Sequence, residues 1–273
     1  MFSIRCLSAF IIATFIATSV LSQSLFSIGN SLTFDALRNF DGSYDHTINC
    51  NQNLDRIFNN PDQTCLPQLT GARPWDEAFE NENYDFVTVQ PFAGTSLSQD
   101  VAAISEWMRL QPDATFIIHT GWTTPGSRES QYSAPLDPEL LSYGPAYFDA
   151  LIEELESAFP DRRIASTNVI GTLDDIASDI AAGIGPISSI GSLYRDSIHF
   201  NTTGQYIATQ SFNLLTGTPL DESRFTSIDS ETRAYLDTKV TANIAVPEPS
   251  TGGAALFVGL MISVRRRCFP RCS

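Results

Sequence analysis

Three residue types that together can activate a serine for nucleophilic attack occur near the two ends of this chain. Ser31 stands in the stretch SIGNSLTF at positions 27–34, and Asp196 and His199 stand three positions apart near the other end. A histidine can accept the proton of a serine hydroxyl, while an aspartate orients the other ring nitrogen and stabilises the imidazolium. The pattern indicates covalent catalysis by Ser31, provided that the fold brings these two regions together.

Each of the two motifs also has a structural interpretation. Gly-Asn-Ser is a common turn sequence, and Asp196 could cap the helix that follows by accepting backbone N–H bonds. The presence of both motifs in one chain with alternating strands and helices favours the catalytic interpretation. The order of serine, aspartate and histidine is compatible with it, because such triads are set by geometry and not by chain order.

The elements that must position these residues follow an alternating rhythm. Apolar and β-branched runs predict strands, and apolar residues at helical spacing predict helices. The predicted strands are 24–28, 84–90, 114–120 and 163–170, and the predicted helices contain Leu97–Met108, Phe148–Phe159, Leu173–Ile180, Thr203–Leu215 and Ser230–Ile244. This rhythm favours a parallel sheet covered by helices on both faces. Residues 49–65 and 121–138 are predicted to be irregular.

The segments Gly29-Asn-Ser-Leu-Thr33 and Asp196-Ser-Ile-His199 resemble the first and last blocks of the SGNH (GDSL-like) hydrolases. The resemblance covers residues 25–217 and implies a three-layer α/β/α, flavodoxin-like parallel sheet. It places the active site at the carboxyl ends of the strands, as in other open α/β sheets. It also implies a serine esterase in which Ser31 attacks an ester carbonyl and His199 acts as general base and then as general acid.

The middle blocks of this sequence depart from that family pattern. The family supplies oxyanion donors from a glycine N–H after the second strand and from an asparagine side chain after the third. Here Gln90 stands at the matching strand end, and Asn51 is the candidate backbone donor in place of the glycine. A structural role, closing a strand end or a loop turn, stays open for each. Loss of one such donor typically costs about 10²–10³ in rate, so the alternative is a non-catalytic surface or matrix binding protein on the same scaffold.

The composition argues against several other function classes. The formal net charge of −15, from 16 basic and 31 acidic residues, disfavours nucleic acid as a partner. Neither the cysteines nor the three histidines show metal-ligand spacing, so we expect no metal or other cofactor. Cys50 and Cys65 are candidates for a disulfide in an oxidising compartment.

Both ends of the chain carry features of targeting signals. Residues 1–22 contain Arg5 and a short apolar run, and they predict a secretory signal peptide, with a retained anchor as the alternative. Residues 246–273 resemble the PEP-CTERM sorting signal, with the sequence VPEPST, an apolar stretch and an arginine cluster. The resemblance implies processing by an exosortase-type membrane protease and transient or lasting anchoring through a short transmembrane segment.

Residues 23–245 are therefore expected to form one exported hydrolase domain that acts on carboxylic esters. Acetyl groups on extracellular polysaccharide are the expected substrate, an inference from location alone. Trp122 and Tyr132 could stack on a sugar or acyl group, or could simply cover the sheet. Arg195 could order the neighbouring turn through an ion pair, or could be a solvated charge.

Overall fold

A computed structural model describes residues 23–244 of the chain. One five-stranded sheet runs through this part of the protein in the order β2-β1-β3-β4-β5, and every neighbouring pair is parallel. The strands are β1 (Leu25–Gly29), β2 (Tyr44–Ile48), β3 (Phe86–Val89), β4 (Thr115–Ile118) and β5 (Ile164–Ser166). This flavodoxin-like order confirms the predicted α/β architecture.

Helices cover both faces of the sheet. They are α1 (Ser31–Leu37), α2 (Leu54–Asn59), α3 (Trp75–Asn81), α4 (Leu97–Leu110), α5 (Arg128–Tyr132), α6 (Pro145–Ala158), α7 (Val169–Ala182), α8 (Thr202–Thr216) and α9 (Ser230–Asn243). Helices α1, α7, α8 and α9 pack against one another, and α4 packs between α2 and α6. Right-handed crossovers place the first group on one face and the second on the other, because the chain moves in opposite directions from β1 to β2 and from β2 to β3.

The order of the strands positions the site. Strand β1 lies between β2 and β3, so the segments that follow these three parallel strands lie side by side at the carboxyl ends of the strands. All five residues of β1 are buried, as expected for a parallel strand covered on both faces. The carboxyl ends of β1, β2 and β3 therefore form a rigid platform for the loops above them.

Strand β2 lies where the sequence predicts none. Its polar residues Asp45 and His46 hide the strand pattern, because neither residue is typical of a buried β position. In the fold, Asp45 accepts a hydrogen bond from the hydroxyl of Tyr84 at 2.8 Å and pairs with Arg73 at 3.2 Å. These contacts compensate the partly buried carboxylate.

The predicted strand 163–170 is wrong in its second half. Strand β5 ends at Ser166, and Asn168 adopts a left-handed conformation with φ of 39°. The side chain of Asn168 then caps α7 by accepting the N–H of Gly171 at 3.2 Å. The apolar residues that follow Asn168 therefore belong to the buried face of a helix. The two segments predicted to be irregular likewise contain the short helices α2 and α5.

Trp122 and Tyr132 cover the sheet. The side chain of Trp122 is fully buried and stacks on Phe200, with ring centroids 3.8 Å apart. Its indole N–H donates to the carbonyl of Ile198 at 2.6 Å. Tyr132 is also buried. Neither ring is open to a sugar or an acyl group in this structure.

The predicted signal peptide and the predicted sorting signal, residues 1–22 and 246–273, lie outside the described residues. Within residues 23–244, none of the helices combines the length and the apolar character that a membrane crossing needs.

Candidate active site

The turn between β1 and α1 presents Ser31 at the carboxyl edge of the sheet. Ser31 is the first residue of α1, and Asn30 caps the helix by accepting the N–H of Leu32 on Oδ1 at 3.0 Å. Gly29 has no room for a side chain, because a Cβ there would lie 2.1 Å from the hydroxyl of Thr33. A tight strand-to-helix turn is thus built from Gly-Asn-Ser, and it lifts the serine to the edge where open α/β sheets bind ligands.

The fold brings the three candidate catalytic residues together. His199 Nε2 lies 3.1 Å from Ser31 Oγ, although the two residues are 168 positions apart. On the other side of the ring, His199 Nδ1 lies 3.0 Å from Asp196 Oδ2 and 3.2 Å from Asp196 Oδ1. These distances allow Ser31 O–H to donate to Nε2 while Nδ1–H donates to the carboxylate. The catalytic roles themselves stay predictions.

The electrostatics of Asp196 favour this arrangement of protons. Its Oδ1 accepts the backbone N–H groups of His199 and Ile198 at 2.8 and 2.9 Å. These two bonds, the His199 one first, lower the pKa of Asp196 to about 2, so the carboxylate is ionised at neutral pH. An ionised carboxylate accepts only, which selects the Nδ1–H tautomer of His199 and leaves Nε2 free to accept the serine proton.

The segment that carries the acid and the base is held against the loop after β4. Tyr194 donates its hydroxyl to the carbonyl of Thr123 at 2.9 Å, and Tyr194 pairs with Phe200 in a short antiparallel bridge. The hydrogen bond from the indole of Trp122 to the carbonyl of Ile198 also joins the segment to this loop. The side chain of His199 keeps 26% of its surface exposed, so the ring is both supported and reachable.

Gln90 contacts the nucleophile helix. Its Oε1 accepts the backbone N–H of Thr33 at 3.0 Å and the Thr33 hydroxyl at 2.6 Å. Its Nε2 is buried and has no partner among the described residues, and it lies 3.0 Å from where a side chain of Gly121 would begin. Gln90 therefore supports the first turn of α1. The predicted role of Nε2 as an oxyanion donor requires that this atom become accessible, and that role stays a prediction.

Asn51 lies in the turn after β2, at the same edge of the sheet as Ser31. It adopts a left-handed conformation with φ of 58°, which asparagine tolerates better than most residues. A disulfide joins its neighbour Cys50 to Cys65, whose N–H donates to the carbonyl of Ile48 at 3.0 Å. The turn is thus fastened to the end of β2. The predicted oxyanion role of the Asn51 N–H is not tested by these contacts.

His119, which also follows a strand of the sheet, does not join the site. His119 follows β4 and is fully buried, with Nδ1 3.0 Å from the hydroxyl of Thr167. Burial lowers the pKa of His119 to about 3, so its ring is neutral and supports the core. Within residues 23–244, no three His, Cys, Asp or Glu side chains cluster as metal ligands would.

Arg195 forms an ion pair, but with a residue that sequence reasoning missed. Its guanidinium lies 2.9 Å from the buried carboxylate of Asp35, one helical turn beyond Ser31, and 3.9 Å from Asp196. The only sequence signal was the spacing of four residues from Ser31 to Asp35, which places both on one side of α1. Nothing in the sequence indicates which of the acidic residues Arg195 selects.

No protein-family model matches the chain, and no curated protein matches it. Several solved structures are similar to it. A member of the lipolytic protein G-D-S-L family from Veillonella parvula is 9% identical with a TM-score of 0.42, over 72% of this chain and all of that one. A GDSL-like lipase from Parabacteroides merdae is 8% identical with a TM-score of 0.44, over 72% of this chain and 96% of that one.

A carbohydrate esterase family 3 protein from Talaromyces cellulolyticus is also similar, with 13% identity and a TM-score of 0.35 over 70% of this chain and 95% of that one. Likeness of this degree does not by itself assign an activity. The chemistry of this chain has to follow from its own site.

Proposed function

We propose that this protein is an exported serine hydrolase of the SGNH type that cleaves carboxylic esters. The observation that carries the proposal is the 3.1 Å distance between Ser31 Oγ and His199 Nε2, with the ionised Asp196 on the far side of the ring. A hydroxyl within hydrogen-bond reach of a base, itself oriented by a third group, is the arrangement that activates a serine.

The proposed reaction proceeds in two halves. His199 Nε2 accepts the hydroxyl proton as Ser31 Oγ attacks the ester carbonyl carbon, and the intermediate then expels the alcohol, which takes that proton. The acyl group stays on Ser31. His199 next deprotonates a water that attacks the acyl-enzyme, and collapse returns the proton to Ser31 Oγ as the acid leaves. Asp196 stabilises the imidazolium in both halves without taking the proton.

The oxyanion of the intermediate needs N–H donors beside Ser31. In the first turn of α1, the N–H of Leu32 is bonded to Asn30 and that of Thr33 to Gln90. The N–H of Ser31 is the candidate donor within this turn, and the N–H of Asn51 is the candidate from the neighbouring loop. Donors of this kind stabilise developing charge and are a major source of rate enhancement.

The test is the hydrolysis of p-nitrophenyl acetate by the wild-type protein and by Ser31→Ala. Loss of the hydroxyl should reduce turnover by about 10⁴-fold or more, because no acyl-enzyme can form. Ser130→Ala, which alters an exposed serine on α5, is the matched control and should keep the wild-type rate. A fluorophosphonate should label the wild-type protein on the peptide that contains Ser31. Equal rates for wild type and Ser31→Ala would remove the proposal.

For the substrate we propose acetyl groups on extracellular polysaccharide. The proposal is supported by the resemblance of residues 246–273 to a sorting signal of exported proteins. Acetate release from acetylated xylan or a similar polymer should then exceed hydrolysis of octanoyl esters at equal ester concentration. A preference for long acyl chains would contradict the acetyl proposal and leave the esterase proposal intact.

A second candidate function is binding without turnover on the same scaffold. It is favoured by one observation, the burial of Gln90 Nε2 where an oxyanion donor is expected. In that case the protein would bind an acetylated polymer, and the wild-type and Ser31→Ala proteins would have equal affinity and no turnover. Fluorophosphonate labelling of Ser31 separates the two candidates, because a serine without an active base does not react.

Export is the remaining part of the proposal. It is supported by the predicted signal peptide and by the Cys50–Cys65 disulfide, a bond typical of oxidising compartments. We propose that an exosortase-type protease recognises Pro247-Glu248-Pro249 and that the apolar segment behind it contacts the membrane. Mass spectrometry of the protein isolated from its host should find new termini near residues 22 and 249. Recovery of the uncleaved chain in the cytoplasm would contradict this.

A further inference from the structure

A buried carboxylate lies directly behind the nucleophile. Asp35 lies on α1 one helical turn after Ser31, and only 1% of its side-chain surface is exposed. Its Oδ1 accepts from the guanidinium of Arg195 at 2.9 Å, and its Oδ2 accepts the backbone N–H of Phe200 at 3.1 Å. Both oxygens of the carboxylate are therefore used by the segment that carries Asp196 and His199.

Arg195 closes this segment on itself while it binds α1. The same Nη1 that donates to Asp35 also donates to the carbonyl of Phe200 at 2.6 Å. The backbone N–H of Arg195 donates to the carbonyl of His199 at 2.9 Å. The two ends of the segment 195–200 thus meet at one carboxylate, and that carboxylate belongs to the helix that begins at Ser31.

This linkage differs from the other anchors of the segment. Trp122 and Tyr194 fasten the segment to the loop after β4, and neither touches α1 through those bonds. They fix the position of the segment in the molecule but do not set its distance from the nucleophile helix. The pair of Asp35 and Arg195 joins the two halves of the Ser31–His199 contact directly.

The energetics favour a geometric role for the pair. Burial raises the pKa of Asp35, and Arg195 opposes that rise through its hydrogen bond and its charge. In this pair the carboxylate is buried and the guanidinium is 39% exposed. Such a pair contributes little net stability, because desolvation of the carboxylate offsets the attraction. What such a pair supplies is a directional constraint, since the guanidinium and the carboxylate meet in few orientations.

We propose that Asp35 and Arg195 form a positioning pair that keeps His199 Nε2 within hydrogen-bond distance of Ser31 Oγ. The inference rests on the proposed function, because it assigns the pair a role in the reaction of that site. The pair does not touch substrate. It acts by making helix α1 and the segment 195–200 move as one body.

The kinetic test uses Asp35→Asn and Arg195→Met, each alone and together. Asp35→Asn keeps the size of the side chain but directs an amide N–H₂ at one or more of the three donors, which are Arg195, Phe200 and Gln205. Misplacement of the base by about 1 Å should lower kcat by about 10²-fold, while KM changes by less than about twofold because ground-state binding is not altered. The double variant should lose no more kcat than the worse single variant, because both changes break one unit.

A control variant and a milder variant distinguish a loss of positioning from a loss of folding. Arg73→Gln breaks the partly exposed ion pairs of Arg73 with Asp45, at the amino end of β2, and with Glu82, and it should lower the melting temperature without lowering kcat. Arg195→Lys keeps the charge beside Asp35 but cannot bridge to Phe200 in the same geometry, so its kcat should be intermediate. Wild-type kcat in folded Asp35→Asn, or fully additive losses in the double variant, would overturn the proposal.

A spectroscopic arm separates this proposal from the proposed function. In ¹⁵N-labelled protein the Nε2 signal of His199, assigned with His199→Gln, should report the hydrogen bond from Ser31 Oγ, and Ser31→Ala gives the signal without that bond. Asp35→Asn should shift the Nε2 signal towards its position in Ser31→Ala, while Nδ1 stays bonded to Asp196. If the wild-type protein has no Ser31-dependent turnover, the proposed function fails, and the Nε2 shift still decides whether the pair positions the ring. An unchanged Nε2 signal in Asp35→Asn would overturn the positioning role.

Discussion

Two buried aspartates, one beside the acid–base segment and one between the loops after β3 and β4, are bonded in different ways. Asp35, below the acid–base segment, is paired with the guanidinium of Arg195. Asp100, on α4, is equally buried but is bonded by two hydroxyls, that of Tyr147 at 2.8 Å and that of Thr95 at 3.2 Å. Burial raises the pKa of both carboxyls, and that of Asp100 reaches about 7 because no cation opposes the rise.

The comparison teaches that the two halves are held by different interactions. The base side of the site is the segment 195–200, which carries Asp196 and His199. The directional ion pair between Arg195 and Asp35 joins it to helix α1. The loops after β2 and β3 carry the candidate oxyanion donors Asn51 and Gln90, and we call them the donor side. Asp100 binds the hydroxyl of Thr95 in the loop after β3, and the carbonyl of Thr95 accepts the N–H of Leu141, after β4, at 3.1 Å. The base-side motif resembles that of the SGNH hydrolases in sequence, and the donor-side residues depart from that family's pattern. A neutral hydroxyl network constrains geometry less tightly than an ion pair does.

The largest expected effect is on the base side. Among residues 23–244, His199 is the base whose ring lies within hydrogen-bond distance of the Ser31 hydroxyl. His199→Ala should therefore lower kcat for p-nitrophenyl acetate by about 10⁴-fold or more. His119→Ala would disturb the core, so the matched control is Asn201→Ser, which keeps a helix cap near the same segment. Turnover by His199→Ala near the wild-type rate would show that the base side is not catalytic.

The next effect tests what Gln90 does on the donor side. Gln90→Met removes both its bond to Thr33 and the candidate donor Nε2, whereas Thr33→Val removes only the hydroxyl that binds Gln90. If Nε2 serves the oxyanion, Gln90→Met should cost about 10²–10³ in kcat and Thr33→Val much less. Equal, small losses in both variants would show that Gln90 only supports α1. Circular dichroism should confirm that both variants are folded.

The disulfide should affect stability more than chemistry. Its cysteines are 15 positions apart, and opening a loop of this length should cost about 3 kcal/mol of unfolding free energy. Cys50→Ala with Cys65→Ala should therefore lower the melting temperature by about 6–12 °C in a domain of this size. The control is wild-type protein in reductant, which should match the variant. A large additional fall in kcat would place the Asn51 turn in the reaction.

The pH dependence contributed by Asp100 should affect stability with no effect on the chemistry of Ser31. Its carboxyl titrates near 3.8 when exposed and near 7 in the fold, so between these values the folded state keeps a proton that the unfolded state has released. Stability therefore falls as the pH rises through this window, by at most about 1.4 kcal/mol per pH unit. Asp100→Asn should flatten this dependence. Denaturant unfolding of both proteins at pH 5 and pH 8 gives the comparison, and parallel pH curves would contradict it.

Sequence reasoning selected residues that the fold brings together where those residues lie in short segments, and their catalytic roles stay predictions. Ser31 and the pair Asp196 and His199 each lie in a motif of a few residues, so their types and local spacing could be interpreted without the fold. Long apolar runs such as Ala114–Thr120 likewise predicted buried strands. The parallel sheet followed from the alternation of these runs with amphipathic segments.

Sequence reasoning failed where a residue depends on distant partners. Strand β2 was hidden by Asp45, whose carboxylate is compensated by Tyr84, 39 positions away. The contact between Asp35 and Arg195 spans 160 positions, and no local pattern selects it. Trp122 looked available on a loop, but its ring is buried by Phe200. In each case tertiary packing decided the outcome.

The distance in sequence between Ser31 and His199 has a consequence for synthesis. A chain made from its amino terminus exposes the serine at the outset and acquires the imidazole 168 residues later, a delay of about 10–30 s at ordinary elongation rates. Closing so long a loop comes late in folding. Under the proposed mechanism, the serine of a nascent or truncated chain therefore lacks its base, and the contact with His199 can form only once nearly the whole domain is available for folding.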